Sequence, residues 1–147
     1  LSREREQAGV GIEVHTAALE PQLVDDNQLR QALHNLVRNA VESGATHLAV
    51  ALTRAGDEVL LTVTDDGPGM SPEDAERAFD PFFSTKARGT GLGLAITKQI
   101  LEDHDGTIRV DSAPGEGTVI SLVLPSRPAP SATQPPETAH AADDPRR

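Results

Sequence analysis

The 147 residues have the length of one domain, long enough to bury a core. A net charge of −10 argues against a general nucleic-acid binder, and residues 1–125 carry 10 Lys and Arg against 20 Asp and Glu, so the acidity lies in the part expected to fold. There is no cysteine, hence no disulfide framework or thiolate chemistry, and no run approaches the ~18 apolar residues of a membrane-spanning helix, which together predict a soluble, cytoplasmic domain without direct membrane contact.

Leu1 in place of Met reads as the start of a fragment. Residues 1–9 are charged and helix-prone up to Gly9, as expected for the end of an upstream helix. Val10-Gly11-Ile12-Glu13-Val14 reads as a first strand. Asp25-Asp26-Asn27 then offers N-cap candidates for an amphipathic helix in which Leu29, Ala32, Leu33, Leu36, Val37, Ala40 and Val41 repeat at three and four residues, ending near Ser43 at Gly44. Asn35 and Asn39, four apart, border the apolar stripe and need partners there. Neighbouring loops are one possible set of partners. The other is a nucleotide, with the Asn39 amide oxygen on Mg²⁺, a hard cation that prefers oxygen, and Asn35 on phosphate or metal-bound water. Arg38, on the same turn, is either solvated or within reach of a phosphate.

Residues 47–53 and 58–64 predict a hairpin around Arg54-Ala55-Gly56-Asp57 that delivers Asp65 to a glycine turn, Asp65-Asp66-Gly67-Pro68-Gly69. Gly67 and Gly69 let the backbone turn sharply and leave room for a flat ring. Asp65 can accept the exocyclic amine of adenine, whereas the carbonyl of guanine would leave the carboxylate unpaired. Ser71 and Pro72 open a short helix through Phe79, ended by Pro81. Phe82 and Phe83 have the composition of core residues.

Gly89, Gly91 and Gly93 run into the apolar-periodic segment Leu92-Gly93-Leu94-Ala95-Ile96, so a glycine loop opens a helix whose free N–H groups suit phosphate. The pattern is not a P-loop, because Leu94 follows the last glycine, nor a Rossmann fingerprint, which belongs to the first turn of a βαβ unit. The helix runs to about Asp103 and closes at Asp105-Gly106. Residues 107–111 and 117–124 predict a last hairpin across Pro114-Gly115-Glu116-Gly117. Helices and mostly antiparallel strands in separate runs predict an α+β fold, a two-layer α/β sandwich with a mixed, mostly antiparallel sheet and helices on one face. Residues 126–147, rich in Pro and Ala and without apolar periodicity, are expected to be a disordered tail beyond a domain at 10–125.

Taken together, Asn35-Leu36-Val37-Arg38-Asn39-Ala40, Asp65-x-Gly67-x-Gly69, Phe79-Asp80-Pro81-Phe82-Phe83, Gly89-Thr90-Gly91-Leu92-Gly93-Leu94 and Gly115-x-Gly117-Thr118 resemble the N, G1, F, G2 and final glycine boxes of a sensor histidine kinase ATP-binding domain, in the family's order. The resemblance covers about residues 8–125. It implies the Bergerat fold, ATP and Mg²⁺ as ligands, Asn39 as the magnesium residue, Lys86 on the terminal phosphate with Thr85 beside it, Thr118 near the adenine amine, and a mobile lid anchored by the Phe segment. The short lid resembles the Thr-Lys form of nitrogen-regulatory kinases, except that Arg88 stands where that form often has glycine.

By the same resemblance, the activity is transfer of the γ-phosphate to a histidine on a separate dimerisation domain, for relay to a response regulator, with the full-length protein a homodimer. None of the five histidines has the acceptor's setting: only His104 precedes an acid, and Gly106 breaks the helix at once. Asn35 stands where hydrolysing relatives have a glutamate base, and an amide cannot remove a proton, so slow hydrolysis is expected. Two other readings are a degenerate, regulatory nucleotide-binding module, disfavoured by intact Asn39, Asp65, Lys86 and Gly91, and an anti-sigma-type serine kinase, disfavoured by the full Phe79 to Phe83 box.

Overall fold

The computed structural model describes residues 9–84 and 91–128. Five strands form one sheet in the order β1-β2-β3-β5-β4: β1 (Gly11–Thr16), β2 (His47–Ala55), β3 (Glu58–Asp65), β4 (Thr107–Ser112) and β5 (Thr118–Pro125). Only the β1–β2 pair is parallel; the others are antiparallel. Helix α1 (Asp26–Glu42) makes the β1–β2 crossover, short α2 (Pro72–Arg77) follows β3, and α3 (Gly93–Asp103) precedes β4. The expected two-layer α+β sandwich is therefore observed.

The sheet's inner face follows from period-two alternation. Val63 on β3, Leu48 and Val50 on β2, and Ile120, Leu122 and Leu124 on β5 are buried in one cluster with α1 and α3, and Val59 on β3 is buried outside that cluster. The helix stripe is the expected one: Ala32, Leu36, Val37 and Ala40 are buried, with Leu29, Leu33 and Val41 packed around them. Asp25 caps α1, its side chain accepting from the Gln28 N–H.

The two helices end in the same way on different residues. After α1, Gly44 takes φ +94°, and the N–H groups of Gly44 and Ala45 bond the carbonyls of Val41 and Ala40. After α3 the left-handed position is Asp105, at φ +58°, with Asp105 N–H on Glu102 and Gly106 N–H on Leu101. Gly106 is required for another reason: a Cβ there would lie 2.5 Å from the Val123 carbonyl oxygen.

Two expectations are corrected. Helix α2 stops at Arg77 rather than Phe79. Phe82 is not core: it is 79% exposed at φ +67°, held there because its N–H donates to the Gly91 carbonyl at 2.9 Å while the Phe83 N–H bonds Asp80. That turn faces Phe82 outward and leaves Phe83 half-buried under the Arg77 guanidinium, 4.3 Å from the ring centre. At the chain's other end, three residues past Pro125 still contact the body, with Gln22 bridged to Pro128.

Candidate nucleotide site

A cleft of about 340 Å³ opens on the helix side of the sheet. Its walls are the C-terminal half of α1, the N-terminus of α3, the glycine turn after β3, and Phe83-Ser84; its floor is the end of β3 and β5. Asn35, Arg38 and Asn39 line it, as do Asp65, Gly69, Gly91, Leu92, Gly93, Leu94 and Thr118. Four stretches up to 83 residues apart in sequence thus converge on one cavity. Thr85, Lys86, Arg88, Gly89 and Thr90 lie outside the described residues. Gly67 is buried beside Asp65, not on the cleft wall.

Asp65 reaches the floor because it ends β3 on the inward phase of the strand. Its register partner on β5 is Thr118, and Thr118 in turn pairs with Ser112 on β4, so the three form one cross-strand row. The Asp65 carboxylate accepts the Gly67 N–H at 2.8 Å, which fixes it over the turn. Asp66, one residue on, points the other way. It accepts the backbone N–H groups of Thr46 and His47 at 2.8 and 2.9 Å and the Thr46 hydroxyl at 2.7 Å. Those donors, the His47 N–H foremost, hold its carboxyl well below the ordinary carboxylate range. Asp65 and Asp66 therefore divide the work, one in the cleft and one locking the loop before β2.

The glycine turns fit backbone to backbone. A Cβ on Gly69 (φ +70°) would run into the Ala113 carbonyl oxygen, and one on Gly117 (φ +74°) into that of Asp65. The Gly115 N–H donates to the Pro68 carbonyl at 2.7 Å. The first and last glycine clusters thus interlock, and the freedom at Gly69 serves this contact as much as any ring in the cleft. Gly91 (φ +70°) fits against the Phe82 and Phe83 backbone in the same manner.

Helix α3 enters the cleft behind Leu92, whose side chain makes no capping hydrogen bond, and its first turn carries no acid. Helix N-termini supply N–H donors and a partial positive charge to anions. The Asn35 amide and the Thr97 hydroxyl both approach the Gly93 carbonyl, at 3.4 and 2.8 Å, and hold this end of α3 in place. Arg38 is ion-paired with Glu42 at 2.8 Å on the cleft rim, both at i and i+4 on α1.

The α1 wall offers the oxygens of Asn35, Asn39 and Glu42. These hard donors suit Mg²⁺, and no cluster of three or more His, Cys, Asp or Glu exists among the described residues to hold a metal by protein alone. That combination fits a cation carried mainly by phosphate oxygens and water. Sequence reasoning missed Glu42, which extends the Asn35, Arg38, Asn39 spacing by three; Asp66, which strand alternation would have turned outward; and Ser112, whose role depends on the β4–β5 register.

The sequence matches the family described as histidine kinase-, DNA gyrase B- and HSP90-like ATPase over residues 24–128. It is 45% identical over 104 residues to the sensor histidine kinase ZraS of Klebsiella oxytoca, covering 69% of this chain and 22% of that protein. It is 39% identical over 110 residues to sporulation kinase E of Bacillus subtilis strain 168, covering 73% and 15%. The chain thus spans between about a seventh and about a fifth of the length of these relatives. Among solved structures, the mycobacterial sensor histidine kinase MprB superposes with a TM-score of 0.74 at 34% identity, over 87% of this chain and 90% of that one. Full-length ShkA in complex with AMPPNP gives 0.78 at 28% identity, over 88% and 28%. With this match, the Bergerat architecture and the converging boxes, the chain belongs to the histidine kinase-, gyrase B- and HSP90-like ATPase family, as an ATP-binding domain of the sensor histidine kinase kind.

Proposed function

We propose that this domain binds Mg²⁺-ATP in the cleft and donates the γ-phosphate to a histidine on a separate, dimerising helical domain, for relay to an aspartate of a response regulator. The observation that supports it most is the convergence of Asp65 and its register partner Thr118 with the α3 N-terminus and the α1 amides around one cavity. Asp65 and Thr118 suit the adenine amine. The α3 N-terminus suits phosphate. Asn39, with Asn35 and Glu42 beside it, would hold Mg²⁺, whose chemistry when bound is to neutralise phosphate charge.

In the transfer, an imidazole nitrogen forms the new bond to the γ-phosphorus as the bond to the β–γ bridging oxygen breaks and ADP leaves. Imidazole needs no strong base for this, which accords with an amide at Asn35. The chain's own contribution is placement and charge: Asn35 orients the start of α3, the α3 amides face phosphate, and Lys86 and Thr85 are assigned to the terminal phosphate by resemblance. The matched relatives are several times longer than this chain, and the acceptor histidine and the homodimer interface are assigned to such further segments, in a cytoplasmic setting. No helix among the described residues is long and apolar enough to cross a membrane.

Calorimetric titration with AMPPNP and the guanine equivalent, with and without Mg²⁺, tests the site. Adenine-selective binding should weaken at least tenfold in Asp65→Asn, which replaces one acceptor oxygen by a donor. Asn39→Ala should remove the Mg²⁺ dependence while leaving the Mg²⁺-free affinity. Wild-type binding of neither nucleotide would overturn the reading.

A further inference from the structure

Ser112, on the edge strand β4, lies beside Thr118 at the margin of the cleft floor, and its hydroxyl makes three contacts. It receives the Met70 N–H at 2.8 Å, faces the Gly117 carbonyl oxygen at 2.8 Å, and lies 2.9 Å from the Thr118 hydroxyl. A serine hydroxyl has one proton and two lone pairs. The Gly117 carbonyl can only accept, so the Ser112 proton must go there; otherwise two oxygens would meet lone pair to lone pair at 2.8 Å. The Met70 N–H takes one lone pair, leaving the other for Thr118. The Thr118 hydroxyl is therefore the donor in its contact with Ser112.

That assignment fixes what Thr118 can offer to the cleft. With its proton committed to Ser112, Thr118 presents lone pairs only. Thr118 is 7% exposed and has little water to exchange partners with. We propose that Ser112 is a specificity-determining positioning residue: by holding the Thr118 hydroxyl as an obligate acceptor beside Asp65, it makes the cleft select a purine with an amine, and reject one with a carbonyl, at position 6. This rests on the nucleotide reading above and deepens it. Asp65 alone would repel a carbonyl; a freely rotating Thr118 hydroxyl beside it would donate to that carbonyl and blunt the discrimination. The Ser112 contact removes that escape.

The test is the ratio of affinities of the full chain for the β,γ-imido analogues of ATP and of inosine triphosphate, which differ in the position-6 group and the N1 proton that the 6-carbonyl brings with it, without guanine's extra amine. The wild type should favour the adenine analogue strongly. In Ser112→Ala the Thr118 proton is released, and the ratio should fall about tenfold, chiefly through tighter inosine binding. Ser112→Thr, which keeps the hydroxyl, should retain the wild-type ratio. A generally loosened site would weaken both analogues together and leave the ratio unchanged, and that result in a folded Ser112→Ala would overturn the proposal. Should Ser112→Ala not fold, Ser112→Cys keeps the volume with a poor acceptor and is read by the same ratio. A wild-type ratio near one also overturns it. Binding of neither analogue by the wild type overturns the nucleotide reading, and this inference with it.

Discussion

Gly115 and Gly117 sit two residues apart, both with positive φ, yet their surroundings separate two costs. Nothing lies within 4 Å of a Cβ built on Gly115, whereas one on Gly117 meets the Asp65 carbonyl. Gly115→Ala should therefore cost only the left-handed backbone penalty, about 1 kcal/mol. Gly117→Ala should cost at least about 2 kcal/mol, and should weaken nucleotide binding because the displaced backbone is that of Asp65. Urea denaturation of both variants checks this, and equal losses would refute the interlock. Asp66 has a different signature. Its folded pKa lies below its unfolded one, so its contribution is complete above the ordinary carboxylate value of 3.8 and is lost as pH falls further toward the folded value. Asp66→Asn keeps one acceptor oxygen but not the charge, so stability measured between pH 2 and 7 should fall less steeply on the acid side in the variant than in the wild type. A parallel acid limb would show that the charge of Asp66 is unimportant.

The helices show where sequence sufficed. Leu101 on α3 is fully buried and Ile96, five residues earlier, is 38% exposed. Leu101→Ala should cost about 2–5 kcal/mol by denaturant unfolding and Ile96→Ala less than half as much; the reverse order would mean that α3 is rotated about its axis. Both residues belong to the apolar pattern readable from sequence, but periodicity does not say which edge of the stripe faces the cleft. The Asn35 and Asn39 spacing was legible because four residues make about one helical turn. The outward turn of Phe82 was not, because apolar composition predicts burial and a single bond from the Phe82 N–H to the Gly91 carbonyl decided otherwise. Likewise, Asp65 could be read as the cleft acid from its position after a strand, while Ser112 acquires meaning only once β4 and β5 are in register.

At the scale of the whole molecule, the chain closes on itself beyond the last strand. The Ser126 N–H donates to the Asp57 carbonyl and the Arg127 N–H to the Gln22 side chain, both at 2.7 Å, and the Leu23 N–H returns a bond to the Arg127 carbonyl at 2.7 Å. These bonds tie the segment before α1 to the hairpin tip and to β5. The ion pair from Arg127 to Asp105 adds little, because both side chains are about half exposed or more. Truncation after Pro128 keeps every one of these contacts and should change stability by less than about 0.5 kcal/mol. Truncation after Pro125 removes three backbone-donated bonds and should cost about 2 kcal/mol. The loss should appear in hydrogen exchange first at Leu23, whose N–H loses its acceptor, before the α1 amides beyond the first turn are affected. Thermal and urea denaturation of the two truncations decide the matter. Equal stability would mean that β5 alone ends the cooperative unit, and a large loss on truncation after Pro128 would assign a stabilising role to residues 129–147.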